Sequence, residues 1–425
     1  RQEGLARSTE FLRLNRERVY DLVVGNPPYQ NRSKMADSKF LEKNYKEGKA
    51  DLYSAFLLRG LEFAKPGGLS TLLTLRGWMF LGTFSALREH LLADHELVAL
   101  GDLDRGGFED ILDEVVSVAI NCFRKGLSSS LTRSVALLPT PRDNKDRDNR
   151  RTYRKKAALL TQVGRYEFRA EDLKVVPDQP LVYWWNSEFL QIYSRFGKLS
   201  DIAETRVGLR TSDNARYLRR PWELESAATL LTRDDVTAED WPKLQWCPYI
   251  KGAAGVKWFE PASYAVRWQD RALQICVALQ YRYNAYPQSS EFYFQKGIAM
   301  AAIGAACIGR AHRYRSVFDV MGQSIFPSNM PKMLCLVNTS LAQDVLASLN
   351  PSVHFQVGDI DRLPLFPIAL AEEIVAQLEL SFTEHEQSRE ASVEFVQPGS
   401  SAWTYAQEWA QRAVDRPAGE PLPPV

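Results

Sequence analysis

The sequence predicts an α/β chain: a partial doubly wound, Rossmann-like sheet, then a mixed α/β second domain, then a helical tail. Three observations carry that expectation. Residues 20–24 form an apolar, β-branched run of strand length, closed by Gly25-Asn26-Pro27-Pro28-Tyr29. Strand, helix, Gly-Gly turn, strand, helix and strand then alternate through residue 123, a cadence of α/β sheets. Finally, a polar break at residues 127–160 separates this cadence from an aromatic and arginine-rich second half.

The elements follow in order. Residues 5–18 read as a basic amphipathic helix with Leu5, Phe11, Leu12 and Leu14 on its apolar side. Residues 20–24 read as a buried strand. The turn behind it has a chemical reading. An exocyclic aromatic amine, such as N6 of adenine, is a poor nucleophile because its lone pair is delocalised into the ring. Two acceptors aimed at its hydrogens draw it toward a tetrahedral state. The Asn26 side-chain oxygen and the Pro27 carbonyl supply two acceptors, Pro28 stiffens the shelf, and Tyr29 offers a flat face for an extruded base. The alternative is a stiff turn with Tyr29 as core filler.

A polar loop is expected at 31–49, as a backbone contact for nucleic acid or as a solvated connection. Asp37 with Glu47-Gly48-Lys49 loosely matches a metal-dependent nuclease pattern but lacks its strand context. Leu52, Ala55, Phe56, Leu58 and Leu61 predict a helix over 51–64, ended by Lys65-Pro66-Gly67-Gly68 with a glycine C-cap. A buried strand at 69–75, a helix at 78–92, and strands at 97–100 and 115–123 follow.

The break contains the basic cluster Arg154-Lys155-Lys156, which reads as linker or as a phosphate-contacting strip. Beyond it, Leu181-Val182-Tyr183-Trp184-Trp185 opens the second domain, with a helix at 187–196. Arg206, Arg210, Thr211, Asp213 and Asn214 combine cations with short hydrogen-bonding side chains, a composition suited to phosphate and base-edge contact. Lys251 and Lys257 lie beside aromatics, which is equally common at ordinary core rims. The tail, 371–425, reads as helical, with Trp403 and Trp409 as docking residues.

Composition narrows the classes. With 425 residues the chain has room for about two or three domains. A net charge of +1 gives no global attraction to nucleic acid, so any DNA surface must be a local patch. Five cysteines without C-x-x-C spacing argue against a zinc site or disulfide framework and suit a reducing cytoplasm. The longest apolar run, 298–308, is too short to span a bilayer, so no membrane association is expected.

Asp21 to Tyr29, Asp51-Leu52-Tyr53-Ser54-Ala55-Phe56, Lys65-Pro66-Gly67-Gly68 and Val116-Ser117-Val118-Ala119-Ile120 occur in the order seen in gamma-class N6-adenine DNA methyltransferases, which the first part resembles. The resemblance implies that Asn26, Pro27, Pro28 and Tyr29 hold a flipped adenine and that Phe108 packs on its other face. The second half, from Gly208-Leu209 through Pro248-Tyr249 and Ser324-Ile325-Phe326-Pro327 to Phe355-Gln356-Val357-Gly358, resembles the target-recognition half of phage-exclusion (BREX) methyltransferases of the PglX type. Eco57I-like type IIG restriction-modification enzymes share much of it. Implied with it are double-stranded DNA as partner, S-adenosylmethionine as cofactor, and other phage-defence proteins as associates.

In that family a glycine-rich cofactor turn stands well upstream of Asn-Pro-Pro-Tyr. The 25 residues before Asn26 contain none, so most of the cofactor pocket is expected on a missing N-terminal half. The expected domains are 1–126 (catalytic), 127–175 (linker), 176–370 (target recognition) and 371–425 (tail). A non-catalytic DNA-specificity module, or a methyltransferase for RNA or protein amines, are the alternatives.

Overall fold

The computed structural model describes residues 20–35, 38–108, 116–126, 132–139, 151–225, 229, 231–234, 245–252, 255–283, 287–304, 306–352, 354–398 and 404–424. The helix expected at 5–18 lies outside these residues. The chain divides into two units, residues 1–197 with 348–351, and residues 198–347 with 352–425.

The first unit is built on a six-stranded sheet of order β1-β2-β4-β3-β5-β6. Its strands are β1 (Tyr20–Gly25), β2 (Ala64–Leu75), β3 (His95–Asp104), β4 (Val118–Lys125), β5 (Ser134–Leu137) and β6 (Arg165–Phe168). β1 runs parallel to β2, and β3 parallel to β5, while β4 is antiparallel to both β2 and β3. The sheet is therefore mixed, with parallel and antiparallel pairs.

β1 is not the buried strand its composition suggested. It ends the sheet among the described residues, and Leu22 and Val24 are 54% and 71% exposed. An apolar run satisfies a buried strand and an edge strand alike, and only pairing separates them.

Helix α1 (Ser38–Asn44) occupies part of the expected loop at 31–49, with Arg32 paired to Glu42. Helix α2 (Leu52–Phe63) starts at an Asp51 N-cap that forms a reciprocal capping box with Ser54. It buries Tyr53, Leu57, Leu58 and Leu61, each worth about 1.5–3 kcal/mol of transfer free energy. The expected glycine C-cap is absent: the cap is Ala64 in extended conformation, and the chain passes directly into β2.

The helix expected at 78–92 begins late, as α3 (Ser85–Asp94), after two 3-10 turns at Arg76–Met79 and Gly82–Phe84. Arg88, fully buried, holds those turns by donating to the carbonyls of Trp78, Leu81 and Asp178.

The expected linker at 127–175 contains β5, α4 (Arg151–Leu160) and β6, and its strands extend the first sheet. Lys155 of the basic cluster is 3% exposed and donates to the Pro139 carbonyl, so it does not reach a phosphate backbone. Residues 181–185 and α5 (Ser187–Arg195) belong to this first unit, which moves the boundary from 176 to 198.

Among the described residues, the second unit holds two four-stranded sheets. One has the order β13-β9-β10-β8, from β8 (Leu218–Arg219), β9 (Trp246–Ile250), β10 (Ala265–Arg267) and β13 (Val317–Phe318). The other has the order β12-β11-β14-β7, from β7 (Ala203–Arg206), β11 (Ile298–Met300), β12 (Gly309–Ala311) and β14 (Ser324–Pro327). Leu209, Tyr249, Trp268, Ile275, Phe294 and Phe318 lie in one shared core, which also takes the inner face of α7 (Gln269–Tyr283).

The tail is part of this unit rather than an appendage. Its helix α9 (Ala371–Ser388) packs on α8 (Met330–Asn338), and Glu394 beyond it binds Arg233, Arg313 and Tyr314. Trp403 lies outside the described residues. Trp409, on α10 (Thr404–Val414), donates to the Pro423 carbonyl within the tail itself. No described helix is long and apolar enough to cross a membrane.

Candidate functional site

Asn26 follows directly on β1, at the edge of the sheet where parallel strands end. Asn26 and Pro28 are exposed, Pro27 is buried and Tyr29 is half-buried. The Tyr29 hydroxyl donates to Asn26 Oδ1 at 3.1 Å. A carbonyl oxygen has two acceptor sites, so Asn26 keeps one for another donor. Tyr29 meets the buried Tyr53 edge to face, with centroids 6.2 Å apart, and desolvation raises its pKa.

The sheet register brings further residues to the same edge. Gly25 pairs with Leu72, Leu75 with Val118, and Val118 with Asp104. Asn26, Arg76 and the turn after Asp104 therefore stand along one rim, with β1 and β3 three strand spacings, about 14 Å, apart. Phe108 is half-buried at that rim. Its loop folds tightly on β4, since a Cβ on Gly107 would lie 2.4 Å from a Val118 methyl.

Beneath the rim lies a buried ionic network that sequence reasoning missed. Arg76 Nη2 donates to Asp102 Oδ2 at 2.8 Å and lies 3.6 Å from Asp104 through Nη1. The Tyr183 hydroxyl donates to the same Asp102 oxygen at 2.8 Å. Burial works against the Arg76 charge, but Asp102 and Asp104 outweigh it and hold its pKa above the usual value. Burial first, and then Asp102, push the Tyr183 phenol well up. An arginine directly after an apolar strand was the one local signal for this network.

In the second unit the residues singled out from sequence divide. The Leu209 backbone N–H donates to the Phe318 carbonyl, the Asp319 backbone N–H donates to the Ile250 carbonyl, and the Tyr249 hydroxyl donates to the Leu209 carbonyl. Arg210 follows Leu209, which bridges Asp319 just past β13, and Lys251 follows β9, the strand paired with β13. Arg210 lies over the Tyr283 ring at 5.5 Å and Lys251 over Tyr264 at 5.6 Å, and Lys257 is exposed. Arg206 is on the other sheet, over Phe292 at 5.0 Å and paired with Glu204. Thr211, Asp213 and Asn214 have local work: Thr211 donates to Asn214 Oδ1 at 2.5 Å, and Asp213 caps α6 (Asn214–Tyr217). Thr211 is 5% exposed.

Asp37 lies outside the described residues, while Glu47 to Lys49 form a tight turn against α2. Among the described residues, no group of three His, Cys, Asp or Glu side chains could hold a metal ion. All five cysteines are free.

Asn26-Pro27-Pro28-Tyr29 thus stands at the end of a strand of a mixed sheet, and restriction-modification methylases and adenine-specific methyltransferases are among the proteins that the chain resembles. The family model described as Eco57I restriction-modification methylase matches residues 1–108. Among particular relatives, the chain is 26% identical to the adenine-specific methyltransferase PglX of Lacticaseibacillus casei (strain Zhang), over 93% of this chain and 34% of that protein. It is 24% identical to the adenine-specific methyltransferase BrxX of Escherichia coli O9:H4 (strain HS), over 91% of this chain and 32% of that protein. The chain thus spans about a third of the length of the curated relatives it matches. Its fold is shared with the type IIL restriction-modification enzyme MmeI, solved in complex with DNA, at TM-score 0.54 and 11% identity, covering 88% of this chain and 50% of that one.

Asp21 and the Gly67-Gly68 pair lie at the far end of β1 from the Asn26 turn. Asp21, the carboxylate of β1, is exposed and paired with Lys65. Gly68 lies against the carbonyls of Tyr20 and Asp21.

Proposed function

We propose that this chain is the amine-accepting and DNA-reading portion of a cytoplasmic, site-specific adenine-N6 DNA methyltransferase of a phage-defence or restriction-modification system. The observation that carries this reading is the turn at Asn26–Tyr29: an exposed amide oxygen and a half-buried aromatic ring at the carboxyl rim of a sheet. Asn26 Oδ1 and the Pro27 carbonyl accept the two N6 hydrogens of an adenine drawn out of the duplex. Tyr29, and Phe108 from the same rim, stack on the base. Extrusion costs a few kcal/mol of stacking and pairing, which these contacts offset. S-adenosylmethionine supplies the methyl group, held by a further part of the protein. Among the described residues β1 ends the sheet with Leu22 and Val24 exposed, which supports that division, because such a strand offers pairing to additional sheet.

In the second unit Arg206, Arg210, Lys251 and Lys257 contact the DNA, with Thr211, Asp213 and Asn214 shaping the loop between them. Other phage-defence proteins are the expected associates.

In the intact protein, Asn26→Ala abolishes incorporation of labelled methyl groups into DNA and leaves DNA affinity nearly unchanged. Equal loss of both would sink the role of Asn26. A second reading, a non-catalytic specificity module, is favoured by the position of Gly67 and Gly68 away from the acceptor turn. It requires sequence-preferring, salt-dependent DNA binding with no methyl transfer by the intact protein. Labelling DNA, RNA and protein side by side also tests other amine substrates.

A further inference from the structure

The acceptor turn is held by something other than its own prolines. Asp51, 7% exposed, caps α2, and the same carboxylate oxygen that accepts the Tyr53 N–H at 3.4 Å accepts the Gln30 N–H at 3.0 Å. Gln30 is the residue after Tyr29. Its carbonyl in turn accepts the Leu52 N–H at 3.0 Å, and Asn31 bridges to Asp51 through the backbone. The first turn of α2 is thereby tied to the end of the acceptor turn.

Tyr53, 1% exposed, stands under Tyr29 edge to face and packs on its other side against Phe84 at 5.8 Å. The Tyr29 hydroxyl then reaches Asn26 Oδ1. The connection runs from Asp51 through Gln30 and Tyr53 to Tyr29, and from Tyr29 to the Asn26 oxygen. The loop behind Asp51 is equally fixed. Ser54 Oγ donates to the Gly48 carbonyl at 2.7 Å, and a Cβ on Gly48 would lie 2.8 Å from the Ser54 carbonyl.

We infer that Asp51 is a positioning residue for the acceptor turn: it fixes Gln30 and Tyr53, and through them the ring of Tyr29 and the oxygen of Asn26. The inference rests on the acceptor role given to Asn26–Tyr29 above. Burial alone would favour the neutral carboxyl, and the N–H groups of Gln30, Tyr53 and Leu52 oppose it. Backbone N–H donors are what the carboxylate needs and what the neutral acid serves less well. The geometry tolerates an amide in its place, since a single oxygen accepts both bonds.

The test compares Asp51→Ala and Asp51→Asn in two readouts. The first is amide hydrogen exchange of the peptide covering residues 26–31, in this chain, with the thermal midpoint as a control for global unfolding. Asp51→Ala accelerates exchange there at least tenfold, and Asp51→Asn restores most of the protection. The second readout is single-turnover methyl transfer by the intact protein. Asp51→Ala lowers the rate about a hundredfold, the scale of a displacement near 1 Å at a reacting centre, with DNA affinity unchanged and rescue by Asp51→Asn. Unchanged exchange in Asp51→Ala overturns the inference, as does faster exchange with an unchanged rate. A wild-type protein that transfers no methyl group removes the acceptor role instead, and the exchange result then decides by itself whether Asp51 fixes the turn.

Discussion

Asp102→Ala is the sharpest test of how the rim is supported. The substitution removes the carboxylate shared by Arg76 and Tyr183 and leaves both in place. The Arg76 side chain is 10% exposed and that of Asp102 is 0% exposed, so the guanidinium loses its main counter-charge where water cannot replace it. Asp104 remains, at 3.6 Å and partly exposed, as a weaker substitute. Breaking a buried pair by removing one partner costs about 3–5 kcal/mol. For a unit of this size, about 2–4 °C of melting temperature per kcal/mol gives a fall of about 6–20 °C. The assay is thermal and urea denaturation followed by circular dichroism, on wild type, Asp102→Ala, Arg76→Met and the double variant. The double variant is expected to be more stable than Asp102→Ala, because it no longer strands a charge. A loss below about 1 kcal/mol for Asp102→Ala, the range of an exposed pair, would refute the reasoning.

Three further outcomes are expected. Gly208→Ala places a Cβ 1.9 Å from the Phe318 carbonyl oxygen, so the contact between Leu209 and β13 must open; urea denaturation should show a loss of about 1–3 kcal/mol, as for overpacking. His312 is buried between the Gln295 carbonyl and Ser324 Oγ, and burial lowers its pKa from 6.5 to about 4. Between those values the unfolded chain binds a proton that the folded one refuses. The stability tied to His312 is thus present above pH 6.5 and lost as pH falls toward 4, and an imidazole NMR titration should find its midpoint near 4. Lys257→Ala should reduce the salt slope of DNA binding by about 1, with sequence preference unchanged, in a fluorescence anisotropy titration.

The sequence by itself determined the features whose causes are local. The strand at 20–25, the stiff turn behind it, the α2 helix and α5 are all written in neighbouring residues, and propensity and capping act over that range. The position of Asn26 and Pro27 directly after that strand was legible for the same reason. What tertiary structure decided is everything that depends on partners distant in sequence. The run at 20–24 reads as buried, and among the described residues pairing places it at the end of the sheet. The polar break at 127–160 reads as linker because β5 is short and gains its stability from β3 and β6. Arg76, Asp102 and Tyr183 form one network across separations of 26 and 81 residues, which no local pattern encodes. Asp51 shows both sides. Its capping of α2 is a sequence signal, but its hold on Gln30 arises because the sheet returns the acceptor turn to the start of that helix.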